Sequence, residues 1–260
     1  MEKIFKHQRL DAIILLLIPI LGACATLFWS LRYLNSILIF LGFPILYLAF
    51  KVPRKTLWKS GLYALIFSLP LSVIVDYMVT IDEGWFVPDS IVRFFDVVPI
   101  EDLIFGFLSV WAIVIIYEYF VDKNDKRICE PKMKYLVWLV GIAFLLFVLM
   151  YVFFPVILVV PYAFLIICSI FLLLPLILML THYPRLAKKY MIVAGYFFFV
   201  SLCWELSALY TNQWFYFGKH YVGWLQIFHL RMPIEEFIFF WIIYAAAILS
   251  WYEFFDDDCK

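Results

Sequence analysis

Charge is the scarcest commodity in this chain. Only 15% of its 260 residues are Asp, Glu, Lys or Arg, while 67% are apolar and the mean hydropathy is +0.98. A soluble domain carries about 25% charged and about 45–50% apolar residues, so the composition is that of an integral membrane protein. The 20 basic and 20 acidic residues cancel, and no global field points to nucleic acid. Glycine is sparse as well. The nine glycines form no GxGxxG and no GxxxxGK[ST], which leaves no visible Rossmann site or P-loop and disfavours chemistry on bound nucleotides. The four histidines, His7, His182, His220 and His229, show neither HxxxH nor HxxH spacing, which excludes a His-box di-iron site. The five cysteines, Cys24, Cys129, Cys168, Cys203 and Cys259, are odd in number and scattered; they read as packed or free thiols rather than a disulfide framework. No DDxxD run is present, which disfavours a metal-diphosphate prenyltransferase, and Asp256-Asp257-Asp258 reads as a solvated tail.

What the chain has in excess is aromatic residues. Phe, Tyr and Trp number 29, 17 and 10, or 22% of the total, more than two interfacial belts require. About 20 apolar residues cross a hydrocarbon layer, and that length divides the sequence into eight stretches: roughly 12–30, 34–50, 59–81, 98–121, 135–154, 157–181, 190–211 and 233–254. The apolar run 135–181 lacks a charged residue but contains Pro155 and Pro161, which mark a break between two spans. Leu21-Gly22-Ala23-Cys24 looks like a lipoprotein cleavage box, yet the apolar run continues through Trp29, so it reads as an ordinary span. With eight spans, 16 of the 20 Lys and Arg fall on one side and only Arg32, Arg93, Lys219 and Arg231 on the other. The expectation is a multi-pass protein of the cell membrane with both termini cytoplasmic.

The second half of the sequence lies in register on the first. Lys59, Asp76 and Trp85 match Lys188, Glu205 and Trp214 at the same spacings; Pro99-Ile100-Glu101-Asp102 matches Pro233-Ile234-Glu235-Glu236; Tyr117-Glu118 matches Tyr252-Glu253. The interval from Trp to Pro is 14 residues in the first half and 19 in the second. Residues 1–130 and 131–260 are therefore expected to be two parallel four-helix repeats in an all-α membrane protein. Asp76 and Glu205 fall near the outer ends of the third and seventh spans, and each Pro-Ile-acid-acid segment opens a helix at that same level, with proline at the first helical position. Burial and a neighbouring acid disfavour ionisation of such a pair, and the helix N-terminus favours it. Adjacent residues on a helix diverge by about 100°, so one acid can face a cavity while its neighbour meets a backbone donor. The acids within spans also read as hydrogen-bond glue between helices, and Trp85 and Trp214 as interface anchors.

These segments resemble the non-flavin lycopene cyclases, which occur as two-subunit enzymes in some bacteria and as fused chains in archaea and fungi. The resemblance rests on the paired Pro-Ile-Glu-Asp and Pro-Ile-Glu-Glu-Phe-Ile-Phe-Phe segments, each following an acidic span end and a Trp-containing loop, and it covers nearly the whole chain. Asp102 departs from the glutamate more usual there, a shorter acid that keeps the chemistry but moves it. The resemblance implies Glu101, Asp102, Glu235 and Glu236, with Asp76 and Glu205, as catalytic acids, and Trp85, Trp214, Phe105 and Phe239 as substrate-binding residues. It further implies lycopene taken from the bilayer as substrate, β-rings as product, no cofactor, and contact with other enzymes of carotenoid synthesis. Cyclising a ψ end group is an isomerisation that needs an acid, a base, a dry cavity and aromatic faces near a cation. Capture of the same cation by water would make a hydratase instead. A proton-coupled transporter or a lipid-binding scaffold would put the same acids in a relay.

Overall fold

Where water is absent a chain must satisfy its backbone within its own helices. The computed structural model describes residues 2–122 and 133–255 and holds eight apolar helices among them: α1 (Glu2–Trp29), α2 (Tyr33–Ala49), α3 (Arg54–Ile81), α4 (Ile100–Asp122), α5 (Met133–Phe153), α6 (Ala163–His182), α7 (Leu186–Tyr210) and α8 (Ile234–Glu253). All eight expected stretches are thus helical. Six are long and apolar enough to cross a membrane; α2 and the apolar part of α5, Val137–Phe153, are shorter. The basic residues Lys123, Lys126, Arg127 and Lys132, the boundary at 130/131, Cys129, and the tail with Asp256, Asp257, Asp258, Cys259 and Lys260 lie outside the described residues.

Three helix starts differ from the sequence expectation. The α6 helix begins at Ala163 rather than near 157, because Pro155–Leu158 forms a tight 3-10 turn and Tyr162 adopts a left-handed φ of 59° before the helix opens. Pro99 and Pro233 are not the first helical residues but their N-caps, with ψ of 139° and 147°. Each proline is still the last residue of a strand, which holds it extended.

Six short strands cap one end of the bundle. β1 (Trp85–Phe86) pairs antiparallel with β4 (Phe215–Tyr216), in the register Trp85 with Tyr216 and Phe86 with Phe215. β2 (Arg93–Phe94) pairs with β3 (Val98–Pro99), and β5 (Trp224–Ile227) with β6 (Leu230–Pro233), so each Pro-Ile-acid-acid segment emerges from a hairpin. The second Trp-to-Pro interval is the longer partly because its hairpin, Trp224–Pro233, is longer than Arg93–Pro99, and partly because of the segment before it. At this end Asp82 accepts hydrogen bonds from the Ala163 amide (3.3 Å) and pairs with His220 (2.6 Å), which fastens the start of α6 to the capping loops.

The opposite end is held by polar side chains that would be costly in hydrocarbon if unpaired. Asp11 on α1 accepts hydrogen bonds from Tyr47 and Lys51 at 2.6 Å and from Tyr119 at 2.5 Å, and Lys189 meets Asp122 at 2.8 Å. Deeper in this half of the bundle, α4 and α8 exchange bonds reciprocally. Tyr252 donates to Glu118 at 2.5 Å, and Tyr117 donates to Glu253. Both tyrosines are fully buried. Removing either hydroxyl takes one hydrogen bond from a buried carboxyl group, which costs about 1.5–3 kcal/mol when that group is charged. Tyr117→Phe and Tyr252→Phe should therefore each lower the thermal denaturation midpoint in detergent, and by similar amounts.

Candidate active site

Between α2, α3, α4, α6, α7 and α8, directly under the β1–β4 ribbon, lies a cavity of about 200 Å³. Four carboxyl side chains line it: Asp76 from α3, Asp102 from α4, Glu205 from α7 and Glu236 from α8. All four are buried. Glu101 and Glu235, expected beside them, are turned elsewhere. Glu101 accepts hydrogen bonds from the Ile91 amide (2.9 Å) and the Ser90 hydroxyl (2.7 Å), and Glu235 accepts one from the Val222 amide (2.5 Å). The backbone completes each clamp, since the Ile100 amide donates to Val92 and the Ile234 amide to Gly223. In both segments the first acid fastens the incoming loop and the second faces the cavity, as the 100° step along a helix dictates.

The closeness of α3 and α4 brings Asp76 near Asp102, and their charges interact. Gly106, one turn beyond Asp102, permits this approach: a Cβ there would lie 2.0 Å from the Ser72 hydroxyl and 3.2 Å from its Cβ. The Tyr33 side chain, at the start of α2, lies beside Asp102 and interacts with it. Asp102 Oδ2 has no hydrogen-bond partner among the described residues, nor do the indole nitrogens of Trp204 and Trp241. All three residues line the cavity, and each of these atoms is itself buried.

On the other side the carboxyls are well supplied with donors. Glu205 Oε1 accepts from Trp214 Nε1 at 3.1 Å and from the Tyr216 hydroxyl at 3.0 Å, and Tyr216 also interacts with Glu236. Burial and the nearby Glu205 and Glu236 push the Tyr216 phenol well above its ordinary range, so it remains a donor. Val87 stands at the matching position of the first half. Among the described residues no hydrogen bond reaches Asp76.

Aromatic faces complete the walls. Trp204 stacks on Phe40 (5.2 Å between centroids) and meets Phe105 edge-on (5.5 Å), Tyr33 meets Trp214 (5.2 Å), and Phe240 stacks on Tyr244 (5.1 Å). Of the expected substrate-binding residues, Trp85, Trp214 and Phe105 line the cavity; Phe239 does not, and Phe240 takes its place. The cause is local. Phe237–Ile243 is wound as a wide π-turn immediately after Glu236, and the wider winding shifts the phase of the helix by about one residue. Tyr33, Trp204, Tyr216 and Trp241 were not singled out by the sequence, although Trp204 adjoins Glu205 and Tyr216 lies two residues beyond Trp214.

Comparisons with protein-family models, with curated proteins and with solved structures gave no match for this chain. The site is read from its own chemistry.

The clamps and the cavity acids separate by experiment. Replacing Glu101 or Glu235 with alanine frees the loop amides, and hydrogen exchange should rise about tenfold at Ile91 or Val222, the equivalent of one lost hydrogen bond. Asp102→Asn should leave exchange at both amides unchanged.

Proposed function

We propose that the protein is a lycopene cyclase of the non-flavin kind, closing ψ end groups to β-rings by acid–base catalysis without a cofactor. One observation carries this reading: four buried carboxyls, drawn from both halves of the chain, line a single aromatic-walled cavity. An isomerisation through a carbocation needs a proton donor, a proton acceptor, π faces for the cation and exclusion of water. The cavity supplies all four. The catalytic acids on this reading are Asp76, Asp102, Glu205 and Glu236, while Glu101 and Glu235 position the two loops.

The two halves, 1–130 and 131–260, are parallel repeats on this reading. The β1–β4 register supports it, because Phe86 and Phe215, which pair, are also matched in sequence. The reciprocal Tyr117–Glu253 and Tyr252–Glu118 bonds relate the halves in the same way. The protein lies in the cell membrane with its termini cytoplasmic and the strand-capped end outside, in keeping with the 16-to-4 distribution of basic residues. It draws lycopene from the bilayer and lies beside other enzymes of carotenoid synthesis.

Expression in a lycopene-accumulating host should convert lycopene to cyclic products of unchanged mass. A gain of one water would mark a hydratase instead, and unchanged pigment would overturn both. Asp102→Asn and Glu236→Gln should each reduce ring formation by about 100-fold or more at undiminished protein level. For orientation, a membrane-impermeant thiol reagent applied to intact cells should label Asp89→Cys and leave Lys55→Cys unlabelled.

A further inference from the structure

The two carboxyl pairs of the cavity share a position in the repeat but differ in surroundings. Asp76 and Asp102 interact beside the tight α3–α4 contact, with Tyr33 next to Asp102 and no hydrogen bond to either carboxyl among the described residues. Asp102 Oδ2 is buried and bare. Two acids that share a site with so few donors retain a proton between them. Glu205 and Glu236 interact as well, but there two donors meet at Glu205 Oε1, and one of them, Tyr216, also interacts with Glu236. A carboxylate that accepts several hydrogen bonds is stabilised as the anion, and Oε2 remains for an incoming proton.

From this asymmetry, and resting on the cyclase reading above, we infer that the cavity has a fixed polarity: Asp102 delivers the proton, Glu205 removes one, and Tyr216 is the positioning residue that holds Glu205 ready.

The steps balance. The O–H bond of Asp102 breaks as its proton forms a C–H bond at the terminal double bond, which leaves a tertiary cation on the neighbouring carbon. The electron pair of the internal double bond forms the ring C–C bond and carries the charge to a ring carbon. The C–H bond beside that carbon then breaks; its electrons form the ring double bond, and its proton goes to Glu205. One proton enters and one leaves, so no oxidant or reductant takes part. Between turnovers both acids exchange with water.

Isotope exchange tests the polarity. The full-length enzyme in liposomes, given unlabelled lycopene in D2O, should place one deuterium in each ring it closes. In Glu205→Gln the first protonation survives but the ring proton has no acceptor. Rings should fall by about 100-fold, and recovered lycopene should carry deuterium as the cation reverts. Asp102→Asn should yield neither rings nor labelled lycopene. Tyr216→Phe keeps the Glu205 carboxylate and removes a single hydroxyl; it should slow ring closure about tenfold and raise the ratio of labelled lycopene to rings. Unlabelled lycopene recovered from Glu205→Gln overturns the polarity, as does labelled lycopene from Asp102→Asn. If Glu205→Gln fails to accumulate in the membrane, an unchanged ratio in Tyr216→Phe overturns it equally. In either case the wild-type enzyme still makes rings and the cyclase reading survives. A wild-type enzyme that makes none removes that reading itself.

Discussion

Two consecutive carboxyl groups cannot point the same way when they sit in the first turn of a helix. This geometric constraint, applied at Glu101-Asp102 and again at Glu235-Glu236, organises the strand-capped end of the molecule. The first acid of each pair is committed to the loop that has just arrived, through the amides of Ile91 and Val222. The second is left facing inward. Each loop is thereby fixed by the helix that follows it, and the β1–β4 ribbon is held over the cavity as a roof. Without the clamps the inward-facing acids would have no fixed wall against which to act.

The cavity is costly to maintain. Four carboxyls in an apolar bundle would each prefer water, and the chain compensates unequally. Around Glu205 it supplies an indole and a phenol; around Asp76 and Asp102 it supplies mainly proximity. Gly106 makes that proximity available by letting α4 rest on Ser72. The far end of the bundle has no such tension. There Asp11, Glu118 and Glu253 are satisfied by tyrosines and Lys51 in compact groups, which is what polar side chains do when they serve packing alone.

Much of this is legible in the sequence. The eight helical stretches follow from apolar run length, and the break at Pro155 follows from the chemistry of proline. The divergence of the paired acids follows from helical pitch. The sequence did not distinguish which member of each pair turns inward, because that depends on which loop amide lies within reach. The resemblance implies Phe239, the register match of Phe105, but the π-turn at Phe237–Ile243 goes with Phe240 on the cavity wall instead. Tyr33 and Trp204 escaped because they belong to no repeated motif; they reach the cavity only through the packing of α2 and α7. Asp76 and Glu205 lie near the ends of α3 and α7, as their depth in the apolar runs implies, but the contrast between their surroundings is not in the repeat: Val87 stands against Tyr216, and Trp214 donates to Glu205 while no hydrogen bond joins Trp85 to Asp76 among the described residues.

The pairing of β1 with β4 has a wider consequence. Because the ribbon sets Trp85 of one half beside Tyr216 of the other, neither half encloses a cavity of its own. A change in the first loop bears on the carboxylates of the second half, and the reverse holds too. The two halves of the sequence are thus bound into a common enclosure, yet free to differ. Selection on such a chain acts on the pair, and what one half loses in polar groups the other can keep.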